Sequence, residues 1–327
     1  MIDPRTAFAT SLSSTTSGPP GALVLDAVSK RYGSFAALDR LSLDVPHGII
    51  QGFLGPNGAG KTTAIRILMG FLRASSGSAS IFGLDSWTDG VQARQRVGYL
   101  VTADALYPDM DGIDQLDFAT KISGRDPVLR GRALDALELS QSTLMQRLGS
   151  YSKGMRQKLA IVAAMQHDPD LLVLDEPSDG LDPLIQQHFE ALLQERRQAG
   201  RTVFMSSHDL AEVERTCERV AVIRRGQLVA NGTVEELSRH YRRTAVIRFQ
   251  GPIPDDLSLL GEIEHVDAGS GTVRVRIGDD INSLIRALAQ VDISHLAIEE
   301  PQLQDIFFGF YDGTDGTSSG LADGAGR

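Results

Sequence analysis

The sequence runs to 327 residues, 42% hydrophobic and 23% charged, the composition of an ordinary globular chain long enough for about two domains. Its formal charge of −10, from 32 basic and 42 acidic residues, lacks the basic footprint of a general nucleic-acid binder. One cysteine, Cys217, excludes an internal disulfide framework and fits a reducing compartment. No apolar run approaches a membrane span, Leu159 to Met165 being among the longest, so any membrane role needs spans from a partner. The N-terminus has no basic region followed by an apolar core, and secretion is not expected.

Residues 1–20 and 312–327 are rich in small and polar residues without apolar periodicity, and disorder is expected at both ends. Between them, Leu23–Val28 and Leu41–Val45 alternate as strands, and Pro46-His47-Gly48 turns into a strand over Ile49–Leu54. A glycine loop follows, then Ala64–Met69 with helical character. Short strands are predicted at Gly77–Gly83 and Val97–Val101. Residues 110–148 carry apolar residues at helical spacing and read as a helical insertion, part of a helical subdomain of about 110–165.

Beyond it the helices Met155–His167, Leu184–Gln198 and Leu210–Cys217 alternate with the apolar strands Leu171–Leu174, Thr202–Ser206 and Val220–Ile223. That alternation predicts an α/β fold, a largely parallel sheet covered on both faces. Arg224–Gln227 reads as a hairpin turn, and Thr233–Glu236 as a capping box opening a helix. Near Tyr241 the pattern resets: strands at Ala245–Phe249, His265–Asp267, Thr272–Ile277 and Ser294–Glu299, helices at Ile281–Gln290 and Leu303–Phe310. The predicted limits are 21–240 for the first domain and 241–311 for a small α+β domain, in which no chemistry-bearing cluster stands out.

The glycine loop is Gly55-Pro56-Asn57-Gly58-Ala59-Gly60-Lys61-Thr62-Thr63. Strand, loop and helix in this order make a P-loop, whose backbone N–H groups and helix N-terminus cradle phosphates. Glycines let the main chain curl around a polyphosphate without Cβ clashes. Lys61 is expected to reach the β- and γ-phosphates, and the Thr62 hydroxyl to ligand Mg²⁺. The apolar strand Leu171–Leu174 ends in Asp175-Glu176, at the strand edge where open α/β sheets bind ligands. Successive strand residues point opposite ways, so Asp175 is assigned to the metal and Glu176 to the attacking water as general base.

With these motifs, residues 22–240 resemble the ATP-binding subunit of an ABC transporter. Tyr151-Ser152-Lys153-Gly154-Met155-Arg156-Gln157 is similar to that family's signature loop, Ser178–Asp182 to its D-loop, and Ser206-Ser207-His208-Asp209 to its switch-histidine segment. The resemblance implies a P-loop ABC ATPase cassette with a helical subdomain and an N-terminal antiparallel β part. It implies ATP and Mg²⁺ held between two cassettes, Ser152 and Gly154 of one copy gripping the γ-phosphate in the other, with Asp182 in the same interface. His208 would contact the γ-phosphate and align Glu176 with water, and Tyr32 would stack on adenine. Ser152 also suits an N-cap, and both roles are compatible.

Two departures from the family pattern stand out. Thr102 occupies the place where the family usually offers Gln or Glu to Mg²⁺ and the membrane partner, and Lys153 and Met155 replace Gly and Gln. The Tyr-Ser-Lys-Gly-Met version and Glu300–Phe307 resemble the exporter branch that pairs with ABC-2 type membrane permease subunits. The leading expectation is therefore a cytoplasmic ATPase, peripheral on the inner face of the membrane, a homodimer driving export of an unidentified substrate and not binding nucleic acid. A nucleotide-binding regulatory subunit with little turnover, suggested by Thr102, is the alternative. A soluble ATPase of translation or DNA repair fits less well, for the chain has one cassette and no coiled-coil insertion.

Overall fold

The computed structural model describes residues 21–299 apart from 101–104, 239–242, 255–256, 258–259, 261, 268, 278–280 and 290. The expected disorder of 1–20 and 312–327, Thr102, the helix at Leu303–Phe310 and the Glu300–Phe307 motif lie outside the described residues. The chain forms two compact units divided between Val234 and Glu235.

The first unit holds two sheets. β1 (Leu23–Tyr32) and β2 (Phe35–Val45) pair antiparallel, and β1 also pairs with β4 (Ser76–Ile81), which continues to β5 (Leu84–Asp85). Both long strands outrun the periodicity that signals them, because Ala27 and Arg40 adopt positive φ at irregularities in the register. The second sheet has the order β10-β9-β3-β8-β7-β6. Its parallel strands are β3 (Ile50–Leu54), β6 (Val97–Tyr99), β7 (Leu171–Asp175), β8 (Thr202–Ser207) and β9 (Arg219–Arg224). β3 and β8 are buried along their whole length, as continuous apolar strands of a two-faced sheet must be. The antiparallel edge strand β10 (Gln227–Thr233) has no clear sequence signal: its Asn and Gly dilute the apolar pattern, and pairing with β9 creates it. Arg225 and Gly226, at φ 47° and 78°, make the two-residue turn between them.

The helix Lys61–Leu68 lies between the sheets, burying Ala64, Ile65, Ile67 and Leu68 among Leu23, Leu41, Phe53 and Val173. The region after β6 is helical as expected: Gly112–Ser123 and Arg130–Ala136 pack beside the long helix Lys153–Met165, and Gln141–Leu144 packs against Gly112–Ser123. Pro183–Gln198 and Leu210–Thr216 follow before β9. Cys217 is buried against Gly52, where an added Cβ would sit 3.0 Å from its Sγ, and burial pushes the thiol pKa up. It is a packing residue.

At the opposite strand ends from the glycine loop, Asp168 sits in a partly buried charge cluster. Arg201 Nη2 lies 2.7 Å from its Oδ2 and Arg196 Nη1 3.4 Å from Oδ1, while Arg201 and Arg96 both bind Asp170 at 2.9 Å. Burial opposes the Asp168 charge, yet the Arg201 and Arg196 contacts win and hold its pKa below the ordinary 3.8. A depressed carboxyl stabilises the fold above the unfolded-state pKa and loses that contribution as pH falls through the folded one. Asp168→Asn is expected to cost about 1–2 kcal/mol near neutral pH, for a pair intermediate between exposed and buried. In denaturant titrations the gap from wild type should close as pH drops below 3.8; a gap independent of pH would contradict the assignment.

The second unit is an antiparallel sheet of order β12-β13-β11-β14, from β11 (Arg243–Phe249), β12 (Glu262–Asp267), β13 (Thr272–Ile277) and β14 (Ile293–Glu299). Alternate residues Ala245, Ile247, Phe249, Val273, Val275 and Ile277 face a core closed by Leu284 and Leu288 of the helix Ile281–Leu288. This is the α+β pattern the alternation predicts.

Candidate functional site

The glycine loop leaves the buried end of β3, and its glycines serve different ends. Gly58 (φ 80°) and Gly60 (φ 112°) take left-handed backbone that disfavours L side chains. At Gly60 a Cβ would also come within 2.7 Å of the Ala37 carbonyl oxygen; at Gly55 it would come within 2.5 Å of that of Ile223. Gly60 caps the helix Lys61–Leu68 without a side chain, so the first-turn N–H groups, at the positive end of the helix, are left for an anion. Asn57, Gly58 and Thr62 are exposed around this helix start.

Lys61 is 6% exposed and lies back across the loop, its Nζ donating to the Gly55 carbonyl at 2.5 Å and sitting 3.0 Å from Glu176 Oε1. Glu176 Oε2 is 2.6 Å from His208 Nδ1. Ser206 Oγ donates to Asp175 Oδ1 at 2.5 Å and accepts from the Glu176 N–H at 3.1 Å. The register explains the convergence: Leu54 pairs with Ser207 and Asp175 with Ser206, so the loop, the carboxylates and His208 leave three adjacent parallel strands at one edge. The separation of Asp175 from Glu176 has another origin than strand alternation. Glu176 lies just past β7 with φ 50°, and this left-handed turn carries its carboxylate toward Lys61 and His208.

Other predicted residues lie apart from this cluster. Ser152 caps the helix Lys153–Met165, accepting from the Met155 N–H at 3.2 Å. A Cβ on Gly154 would meet the Gly180 carbonyl oxygen at 2.7 Å, and Lys153 Nζ lies 2.6 Å from Asp179 Oδ2. The signature-like loop is thus clasped to the segment 178–182 of its own chain. Asp182 is committed as the N-cap of Pro183–Gln198, accepting from the Ile185 N–H at 3.1 Å. Tyr32 ends β1 as an exposed ring opposite Phe35, with Lys30 Nζ 5.2 Å from its centroid. Among the described residues none of Ser152, Gly154, Asp182 or Tyr32 hydrogen-bonds to Lys61, Glu176 or His208.

Three further residues shape the site. Ser206 bridges the two carboxylate positions, buried Gln157 donates to the Pro177 carbonyl at 2.8 Å, and buried Glu212 accepts from Ser178 and Ser207. Ser206 and Gln157 fall in the quoted motif-like segments without a role being assigned to them, and Glu212 has only its polarity within apolar surroundings as a signal. Burial, opposed by the two serine hydroxyls, pushes the Glu212 pKa up. Nearby, a cavity of about 540 Å³ opens between the sheet and the helical region, lined by Phe71, Tyr99, Phe118, Ile122 and Ala160.

A glycine loop leading into a bare helix N-terminus, a lysine lying back across it and a strand-end carboxylate pair define a P-loop nucleotide-binding protein. Residues 38–179 match the ABC transporter family, and residues 232–309 match the family described as ATP-binding protein DrrA1-3-like, C-terminal domain. The bacitracin transport ATP-binding protein BcrA of Bacillus licheniformis is 32% identical over 294 residues, 86% of this chain and 94% of that protein. The probable multidrug ABC transporter ATP-binding protein YbhF of Escherichia coli is 35% identical over 232 residues, 68% of this chain; the match spans only 39% of YbhF. A solved ATP-binding subunit of an ABC transporter aligns with TM-score 0.62 at 28% identity, over 67% of this chain and 92% of that one. The chain belongs to the ABC transporter family as an ATP-binding protein with a DrrA-like C-terminal domain.

Proposed function

We propose that this chain hydrolyses ATP as one of two cassettes driving export through a separate ABC-2 type permease at the inner face of the membrane. The observation that carries the reading is Glu176, held between Lys61 and His208 at the mouth of the glycine loop. With ATP in the loop, backbone N–H groups within 57–63 and Lys61 would bind the β- and γ-phosphates, drawing Lys61 away from Glu176 and releasing a base. Glu176 then takes a proton from the water that attacks the γ-phosphorus as the bond to the β-phosphate oxygen breaks. His208 holds the γ-phosphate and keeps Glu176 in line. Thr62 and Asp175 would hold Mg²⁺, whose chemistry is to neutralise charge on the phosphates. The donor set fits: an exposed hydroxyl at the helix start and a strand-end carboxylate fixed by Ser206.

Tyr32 presents an exposed ring suited to adenine. Ser152 and Gly154 stand at the start of a second helix, and in a dimer they would close on the ATP of the other copy, with Asp182 at the same seam. The cassette is taken as 21–240 and the accessory domain as 241–311. No described helix is long and apolar enough to cross a membrane, so the path for substrate would belong to the permease. The names of BcrA and YbhF support a drug- or antibiotic-like cargo. ATPase activity of the purified protein, alone and with a co-purified permease partner, tests this reading: turnover at background in both, with ATP still bound, would favour the regulatory subunit.

The cavity lined by Phe71, Phe118 and Ile122 supplies an apolar seat for a permease segment. Ile122→Glu, at an exposed position on its rim, is expected to cut stimulation of ATPase by the permease about tenfold, as loss of one apolar anchor does. Basal turnover should stay at the wild-type level; equal stimulation of both proteins would place the permease elsewhere.

A further inference from the structure

We propose that Glu212 is a positioning residue for hydrolysis, a buried carboxylate that fastens the segment behind Glu176 to the segment carrying His208. It rests on the roles of Glu176 and His208 given above. Glu212 stands on the short helix Leu210–Thr216, buried, with both oxygens occupied: Ser178 Oγ donates to Oε1, and Ser207 Oγ donates to Oε2 at 2.6 Å. Ser178 follows Glu176 by two residues, and Ser207 immediately precedes His208. Ser207 Oγ also accepts from the Asp209 N–H at 2.9 Å, so the turn that presents His208 is held on both sides.

Ser206 makes a matching link on the strand side, joining Asp175 and the Glu176 N–H to β8. The peptides 175–178 and 206–208 are therefore stapled at two points, and Glu176 and His208 are next to the stapled residues in the chain. Strand register alone orders these peptides only as far as Asp175 and Ser206, where pairing of β7 with β8 ends. Past that point the side chains of Ser178, Ser207 and Glu212 set their separation. A buried carboxylate is a costly way to fill a helix–sheet interface, where an apolar side chain would pack as well. Two hydroxyl donors aimed at it suit its ionised form and give it a geometric task. The neighbouring Asp209 and Glu190 carboxylates oppose its charge, and Arg215, which neutralises Glu190 at 2.9 Å, relieves part of that.

The test uses the full chain, with permease if turnover needs it, and the variants Glu212→Leu and Glu212→Gln. Glu212→Leu is expected to lower kcat about 10- to 100-fold, the effect of misplacing a catalytic pair by a fraction of an ångström to one ångström, with ATP Kd within about twofold of wild type. Glu212→Gln, which retains one acceptor and can still meet both serines, should restore a large part of the rate. In nucleotide-free protein with labelled histidines, the His208 imidazole resonances, identified with His208→Gln, should move in Glu212→Leu toward their positions in Glu176→Gln. If Glu212→Leu fails to fold, Ser178→Ala combined with Ser207→Ala removes the same staple and should give the same losses. Unmoved His208 resonances, or a kcat within about twofold of wild type in a folded variant, would overturn the proposal. Should the wild type itself show no turnover, the hydrolysis reading fails and the resonances alone decide whether Glu212 holds His208 in place.

Discussion

Glu176→Gln is expected to reduce ATP turnover by about 10²- to 10⁴-fold, the range of a positioned general base. ATP should still bind with near-wild-type affinity. The amide keeps the size of the carboxylate and can still hydrogen-bond His208, while the Lys61 ion pair at 3.0 Å is lost. Loss of that pair leaves Lys61 with the Gly55 carbonyl, which it already binds, so the loop has no reason to collapse. The released lysine should favour phosphate, and a cassette that binds ATP without consuming it should accumulate as an ATP-dependent dimer in size-exclusion chromatography. A variant that no longer binds ATP would count against Glu176 as the base, because it would show the carboxylate to be structural. A variant that turns over at the wild-type rate would remove it from the chemistry altogether.

The second large effect is expected at Lys61. Lys61→Met keeps the length and apolar stem of a side chain that is almost wholly buried, so the fold should survive. It removes the ammonium that the two terminal phosphates would share. Charge-assisted hydrogen bonds contribute about 1.5–3 kcal/mol each, so two correspond to a loss of about 10²-fold or more in ATP affinity. Calorimetric titration with ATP, alongside a thermal melt of the unliganded variant, separates lost binding from lost fold. Glu176 retains His208 when Lys61 is gone, so the melt should change little. A variant with wild-type affinity would mean that the backbone N–H groups and the helix N-terminus hold the phosphates by themselves.

Several features of the site are legible in the chain because they are local. A turn that needs positive φ at Gly58 and Gly60 writes itself as glycine, and the helix that follows shows in the periodicity after Lys61. The continuous apolar run of β7 announces a strand buried on both faces, with carboxylates where it emerges. Ser152 was legible as a helix start and is an N-cap, whereas Asp182, read from the sequence only as part of the D-loop-like segment, is an N-cap as well. The edge strand β10 was not legible, since its stability comes from β9 beside it rather than from its own residues. Gln157 and Glu212 were also missed: a polar residue in an amphipathic helix looks alike whether it faces water or a buried partner.

The sequence by itself determined that a phosphate-binding loop, a strand-end carboxylate pair and a following histidine occur in the order of an ABC cassette, because each is a local pattern with its own backbone demand. Only the tertiary structure decided which of them touch. Residues 30 to 34 positions apart in the chain, Ser206 with Glu176, Glu176 with His208 and Ser178 with Glu212, meet because β7 and β8 run side by side. The left-handed turn at Glu176 then aims its carboxylate at Lys61, and no residue pattern along the chain encodes that direction, for non-glycine residues enter this region only where surrounding contacts hold them there.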